Sequence, residues 1–138
     1  MILAEGLDNV FARHQRLAEG CRRAVRAWGL EIQCADAAVY SPVLTGVMMP
    51  DGVAADAVRK LIYERFNLSL GTGLGKMKGR MFRIGHLGDC NELTLMAALA
   101  GCEMGLRLAG VPLAQSGLAA AAAYFGEPAA GADRRVAA

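Results

Sequence analysis

The segment Met81-Phe82-Arg83-Ile84-Gly85-His86-Leu87-Gly88-Asp89 sets one permanently charged guanidinium inside a short run of apolar and small residues. A guanidinium offers a planar fork of N–H donors that matches a carboxylate or phosphate in bidentate fashion, each charge-assisted bond contributing about 1.5–3 kcal/mol. Arg83 is therefore the candidate anion-binding residue. Read as a strand, the segment puts Phe82, Ile84 and His86 on one face and Met81, Arg83, Gly85 and Leu87 on the other. Phe82 and Ile84 are expected in the core, which turns Arg83 to the opposite face, where Gly85 leaves room beside it. On chemistry alone an alternative stands beside this one: an arginine on an exposed sheet face, paired with a surface carboxylate.

Other groupings offer less. Gly71-Thr72-Gly73-Leu74-Gly75-Lys76 resembles a phosphate-binding loop, but Lys76 is followed by Met77 and a strand, not by Ser or Thr and a helix whose N-terminus could face the phosphate. The loop reads as a flap beside a site or a hairpin connection. No nucleophile elbow, HExxH segment or paired-carboxylate segment is present. Cys21, Cys34, Cys90 and Cys102 form no CxxC pair, and His14 and His86 stand apart, so no metal site is expected. Four reduced thiols in a cytoplasmic protein is the expectation.

The elements that must hold Arg83 follow from periodicity. Leu3, Leu7, Val10, His14, Leu17, Cys21, Ala24 and Trp28 recur at spacings of three and four, which predicts one long helix with a narrow buried stripe, stopped by Gly29 and Leu30. Leu30–Cys34 alternates as a short strand, and Val43–Met49 reads as a stronger one in which Gly46 suggests a close approach. Val58, Leu61, Ile62 and Phe66 predict a helix over residues 54–66, with Asp56 in its first turn and Asn67 closing it. Leu68–Leu70 reads as a brief strand before the glycine loop and the arginine strand. Asp89-Cys90-Asn91-Glu92 has the form of a capping box opening a helix that carries Leu95, Met96, Leu99, Cys102 and Leu106 and ends at Gly110-Val111-Pro112. An alanine-rich helix over 116–125 should add little core. A frayed tail follows from Glu127. The order predicts an α+β fold, with a long N-terminal helix and a small, mainly antiparallel sheet whose helices cover one face, leaving Arg83 on the other.

Composition sets outer limits. The 138 residues suit one domain with a real core, and a 54% hydrophobic, 20% charged composition excludes disorder. A formal charge of +2, with basic residues dispersed among acidic ones, gives no reason to expect nucleic acid or a membrane surface as partner. No apolar run approaches the roughly 20 residues of a bilayer span. The N-terminus, interrupted by Glu5, Asp8, Arg13 and Arg16, does not resemble a signal peptide.

Three stretches carry a family resemblance: Glu5-Gly6-Leu7 through Phe11-Ala12-Arg13-His14, Tyr63-Glu64-Arg65-Phe66-Asn67-Leu68-Ser69-Leu70-Gly71, and Gly79 to Gly88. Together they resemble the C-terminal part of class V aminotransferases of fold type I, and within that class the serine–glyoxylate and alanine–glyoxylate group. The resemblance implies a pyridoxal 5'-phosphate enzyme, homodimeric when full-length, that transfers an amino group from serine or alanine to glyoxylate or another 2-oxo acid. It implies that Arg83 binds the substrate α-carboxylate, that residues 1–29 are an interdomain linker helix, that 30–126 form the small domain, and that 127–138 are a flexible tail. It also implies that the glycine loop lies near the active-site mouth. Such an enzyme needs a Schiff-base lysine and cofactor-binding groups in a large domain. Lys60, Lys76 and Lys78 match no such position, so this chain is expected to lack the catalytic lysine and the cofactor site and to be inactive alone. A non-catalytic fragment or partner-binding α+β module is the rival expectation.

Overall fold

The computed structural model describes residues 2–128. The predicted first helix forms with one interruption near its start: α1 is Ile2–Glu5 and α2 is Leu7–Ala27, with Gly6 between them at φ 84°. Val10, His14, Leu17, Cys21, Ala24 and Trp28 are buried, as their spacing predicts. Leu7 is exposed, while Ala18, Arg22 and Val25 join the buried set. From Leu7 on, the face is thus wider than a narrow stripe, with Val10 its first buried residue; the Leu3 side chain lies outside those described. The helix closes through two bonds, Gly29 N–H to the Arg26 carbonyl at 3.0 Å and Leu30 N–H to the Val25 carbonyl at 3.2 Å. This paired stop requires the left-handed backbone that Gly29 adopts at φ 79°.

The strand expected over Leu30–Cys34 shrinks to a single bridge, Ile32 opposite Val47, held by Gln33 N–H to the Gly46 carbonyl and Met48 N–H to the Glu31 carbonyl. Just beyond it, the Asp36 carboxylate accepts from Ala38 N–H at 2.9 Å and draws the chain into a tight turn at Ala37–Val39, away from the sheet. Strand β1 runs Leu44–Met48, inside the predicted 43–49. Helix α3 is Ala55–Phe66, and Asn67 closes it at φ 52° as expected.

The strand expected at Leu68–Leu70 forms immediately after that segment, as β2, Gly71–Thr72. The Leu70 carbonyl accepts two bonds from the Arg59 guanidinium, at 2.8 and 2.7 Å. Strand β3, Met81–Gly85, lies between β1 and β2 in a three-stranded antiparallel sheet of order β1-β3-β2. Its register sets Arg83 opposite Gly46 on one side and Gly71 on the other.

Helix α4, Glu92–Leu108, starts later than the Asp89 capping box implies: Asn91 is the cap, accepting from Thr94 N–H at 2.9 Å while the Thr94 hydroxyl accepts from Asn91 N–H at 2.9 Å. Arg13 binds the Gly88 and Cys90 carbonyls, which keeps residues 88–90 out of the helix. Helix α5, Gly117–Gly126, buries Ala121 and Gly117 and lays the Phe125 ring against Gly20 of α2, so the alanine helix packs through its small residues.

Phe82, Ile84 and His86 face the core with Leu17, Trp28, Ile62, Leu95, Leu99 and Leu106. This is the predicted α+β arrangement, with helices on one face of the sheet. The other face is only partly open. Met81 is buried, and its Cε would lie 2.6 Å from a Cβ at Gly46, with Gln33 Cβ at 3.1 Å. The close approach expected at Gly46 is therefore made by Met81 and Gln33, and the open part of the face starts at Arg83. Of the expected tail, residues 129–138 lie outside those described.

Candidate functional site

Alternation along β3 turns Arg83 away from the core, half-buried, at the centre of the sheet's second face. Its side chain folds over the neighbouring strand at Gly71, where a Cβ would meet Arg83 Cβ and Nε, each at 3.1 Å, and Cζ at 3.5 Å. The room that the sequence assigns to Gly85, for a ligand or another backbone, is open space with nothing within 4 Å, while the close approach of Arg83 itself is at Gly71.

Having crossed Gly71, Arg83 Nε–H donates to the Thr72 carbonyl at 2.9 Å. Among the described residues no hydrogen bond engages its terminal Nη atoms and no carboxylate pairs with it. The surface ion pair that formed the alternative reading is thus not formed among these residues. The other half-buried or buried arginines differ: Arg13 pairs with Glu5, Arg16 with Glu92, Arg22 with Glu19 and Arg59 with Asp56. A planar donor pair held at one edge and open at the other can receive a carboxylate or phosphate.

Thr72 is itself held from α3, and sequence reading does not find this support. The Asp56 carboxylate accepts from the Thr72 hydroxyl at 3.0 Å and from Arg59 Nη1 at 2.9 Å, while the other Arg59 nitrogens grip the Leu70 carbonyl. The available signal is weak, an Asp and an Arg three apart on a helix before a glycine-rich edge, and Asp56 reads as a helix-dipole residue.

The strand's exit is fastened to α2. Arg13 Nη1 donates to the Gly88 carbonyl at 2.8 Å and the Cys90 carbonyl at 2.9 Å, and its other edge holds the Glu5 carboxylate at 2.7 and 3.0 Å. Gly88 N–H donates to His14 Nε2 at 3.2 Å, which leaves Nδ1–H to donate to the Val10 carbonyl at 2.7 Å. Two of the three stretches carrying the family resemblance therefore meet here. His14 is packed, as its place on the helical stripe predicts.

His86 is fully buried, its Nδ1 bonded to the Pro42 carbonyl at 3.1 Å and Nε2 to the Thr45 hydroxyl at 3.0 Å; burial pushes it down to about 4. It is a core group, not part of the Arg83 surface. Burial also pushes the Cys21 thiol up to about 12 and the Cys102 thiol upward, so neither is a ready nucleophile. All four cysteines are free. Lys60, Lys76 and Lys78 are exposed, Lys60 within 3.8 Å of Glu64. Among the described residues no three His, Cys, Asp or Glu side chains gather as for a metal, and no helix is long and apolar enough to cross a membrane. A cleft of about 700 Å³ along α2 is lined by Arg13, Arg16, Arg22 and Tyr124; Arg13 and Arg16 are engaged as above, and Arg22 pairs through Nε and stacks on Tyr40 while its buried Nη1 has no hydrogen-bond partner among the described residues.

No family model matches the chain. Serine–glyoxylate aminotransferase of Hyphomicrobium methylovorum is 48% identical over 126 residues, covering 91% of this chain and 31% of that protein. The Arabidopsis thaliana serine–glyoxylate aminotransferase is 46% identical over 126 residues, again 91% of this chain and 31% of that protein. Among solved structures, ureidoglycine–glyoxylate aminotransferase from Bacillus subtilis superposes with a TM-score of 0.84 at 28% identity, over 91% of this chain and 33% of that one. Pyridoxamine–pyruvate aminotransferase from Mesorhizobium loti gives 0.83 at 35% identity, over 89% and 32%. The chain thus spans about a third of the length of the curated relatives it matches. By sequence and by fold, the chain belongs with the C-terminal part of the class V aminotransferases.

Proposed function

We propose that this chain is the substrate-carboxylate-binding small domain of a pyridoxal-phosphate-dependent aminotransferase that moves an amino group from serine or alanine to glyoxylate or another 2-oxo acid, with Arg83 holding the carboxylate these substrates share. One observation carries the reading: Arg83 spends Nε on the Thr72 carbonyl, while its terminal nitrogens are free of protein partners among the described residues. A bidentate grip there fixes the direction of the substrate's α-carbon bonds, a contribution of geometry and entropy rather than of proton transfer. Residues 30–126 form the domain and residues 1–29 the linker helix that leads into it. His86 and the Cys21 and Cys102 thiols lie in the core, on the side of the sheet away from Arg83.

The cofactor, when bound in such an enzyme, supplies the carbonyl that exchanges the amino group. Its aldehyde calls for a sequestered lysine, and the three lysines of this chain are exposed, so the residues described do not fit it. The cofactor, its lysine and the second subunit of a homodimer belong to the rest of such an enzyme. The chain alone is inactive, and its free thiols suit a cytoplasmic setting.

A domain exchange tests this. This chain replaces the matching third of the Hyphomicrobium methylovorum serine–glyoxylate aminotransferase. The chimera should transaminate, and Arg83→Ala in it should lower kcat/KM about 10- to 100-fold for amino acid and glyoxylate alike. An active chimera indifferent to Arg83→Ala would overturn the reading.

A further inference from the structure

We infer that Asp56, Arg59 and Thr72 are positioning residues for Arg83, a bracket that carries the rigidity of α3 to the guanidinium; the inference rests on the carboxylate-binding reading above. The geometry is a continuous relay. Arg59 grips the Leu70 carbonyl through Nε at 2.8 Å and Nη2 at 2.7 Å and turns Nη1 to the Asp56 carboxylate at 2.9 Å. The same Asp56 oxygen accepts from the Thr72 hydroxyl at 3.0 Å, and the Thr72 carbonyl receives Arg83 Nε–H at 2.9 Å. Both carbonyls that flank Gly71, those of Leu70 and Thr72, are therefore occupied by guanidiniums, one from each side.

The need for such a bracket follows from the strand it holds. β2 is two residues long, lies at the sheet edge and is preceded and followed by irregular chain. A short edge strand beside a glycine-rich loop has little intrinsic rigidity. Arg83 depends on that strand twice: Gly71 supplies the space it crosses, and the Thr72 carbonyl takes Nε. Without a fixed Thr72 the arginine would exchange among rotamers, and the carboxylate would have to order it on binding. Ordering one such side chain costs about 0.5–1.5 kcal/mol, so its prior fixation improves affinity about two- to tenfold. Arg59 and Asp56 are half-buried and reach no other part of the sheet's second face, which gives their pairing this role rather than that of an isolated surface ion pair.

The test uses the 138-residue chain with nitrogen-15 label, observing the Arg83 Nε–H signal by NMR, identified by its loss in Arg83→Lys, and titrating with acetate. In the unaltered chain this proton should exchange slowly with water. Arg59→Gln and Thr72→Val should each speed its exchange and raise the acetate Kd about two- to tenfold, while Thr72→Ser, which keeps the hydroxyl, restores both. A merely structural role for Arg59 would leave the Nε–H signal and the affinity unchanged while lowering Tm; that result, in a variant with native amide dispersion, overturns the inference. Should Arg59→Gln fail to fold, Thr72→Val against Thr72→Ser decides it. If acetate leaves Arg83 unmoved in the unaltered chain, the carboxylate reading fails instead, and the Nε–H exchange rates still decide whether the bracket positions Arg83.

Discussion

Arg83 lies across Gly71, close enough that an alanine Cβ at position 71 would sit 3.1 Å from both its Cβ and its Nε. Over that bare strand position the guanidinium reaches the Thr72 carbonyl, to which its Nε–H donates at 2.9 Å.

Gly71→Ala should therefore push Arg83 off its rotamer at a cost of about 0.5–1.5 kcal/mol and free its Nε–H from Thr72. Gly85→Ala, with nothing within 4 Å, should leave that bond in place. The solvent-exchange rate of the Arg83 Nε proton separates the two: fast in the first variant, unchanged in the second.

The contact between α2 and the loop after β3 should hold that loop closed. His14→Ala removes the acceptor of Gly88 N–H, and hydrogen exchange at that amide should rise about fivefold, the equivalent of one ordinary hydrogen bond. Arg13→Ala, which releases the Gly88 and Cys90 carbonyls, should accelerate the same amide further. Unchanged exchange in both variants would show that neither side chain restrains the loop.

Acid should weaken the fold in two windows. Burial lowers His86 from 6.5 to about 4, so the unfolded chain takes up a proton at pH values where the folded chain does not; stability is complete above 6.5 and falls as pH drops toward 4. The Glu103 carboxyl is held at about 2 against an ordinary 4.5: burial opposes this, but Trp28 Nε1–H at 2.9 Å, Leu118 N–H at 3.0 Å, Arg107 at 3.1 Å and the Ser116 hydroxyl at 3.2 Å outweigh it. Its contribution is present above 4.5 and is lost as pH falls toward 2. Denaturant melts at pH 7, 5 and 3 should show both declines, with His86→Gln flattening the first and Glu103→Gln the second.

Glu103→Ala should cost about 1–3 kcal/mol at pH 7, since it strands the buried Trp28 N–H and removes the tie between α4 and the start of α5. Urea midpoints of the variant and the parent chain measure it directly.

What could be read from the residues is local. The alternation Phe82, Arg83, Ile84 alone places Arg83 on the face opposite the core, and the three-four spacing from Val10 to Trp28 alone gives the buried side of α2. Gly29 and Asn67 mark helix ends by their own backbone preference. The misplacements arise where a distant side chain takes a backbone group. Arg13, 75 residues away in sequence, removes the Gly88 carbonyl from any helix and shifts the cap from Asp89 to Asn91. Arg59 takes the Leu70 carbonyl and shifts β2 to Gly71. Glu103 is buried where Trp28, Ser116 and Leu118 converge on it, a convergence of distant groups with no local signal in the sequence. The carboxylate-binding role proposed for Arg83 rests on the family resemblance, and its surroundings at Gly71 and Thr72, on a neighbouring strand, have no local signature.

Whether Arg83 is a carboxylate receptor is tested most directly by titrating the labelled chain with glyoxylate and following the arginine Nη signals. Arg83 alone among the half-buried arginines should shift and saturate, and the response should disappear in Arg83→Lys, which keeps the charge but loses the fork. Saturable binding that persists in Arg83→Lys, or no shift at Arg83 at all, would contradict that role.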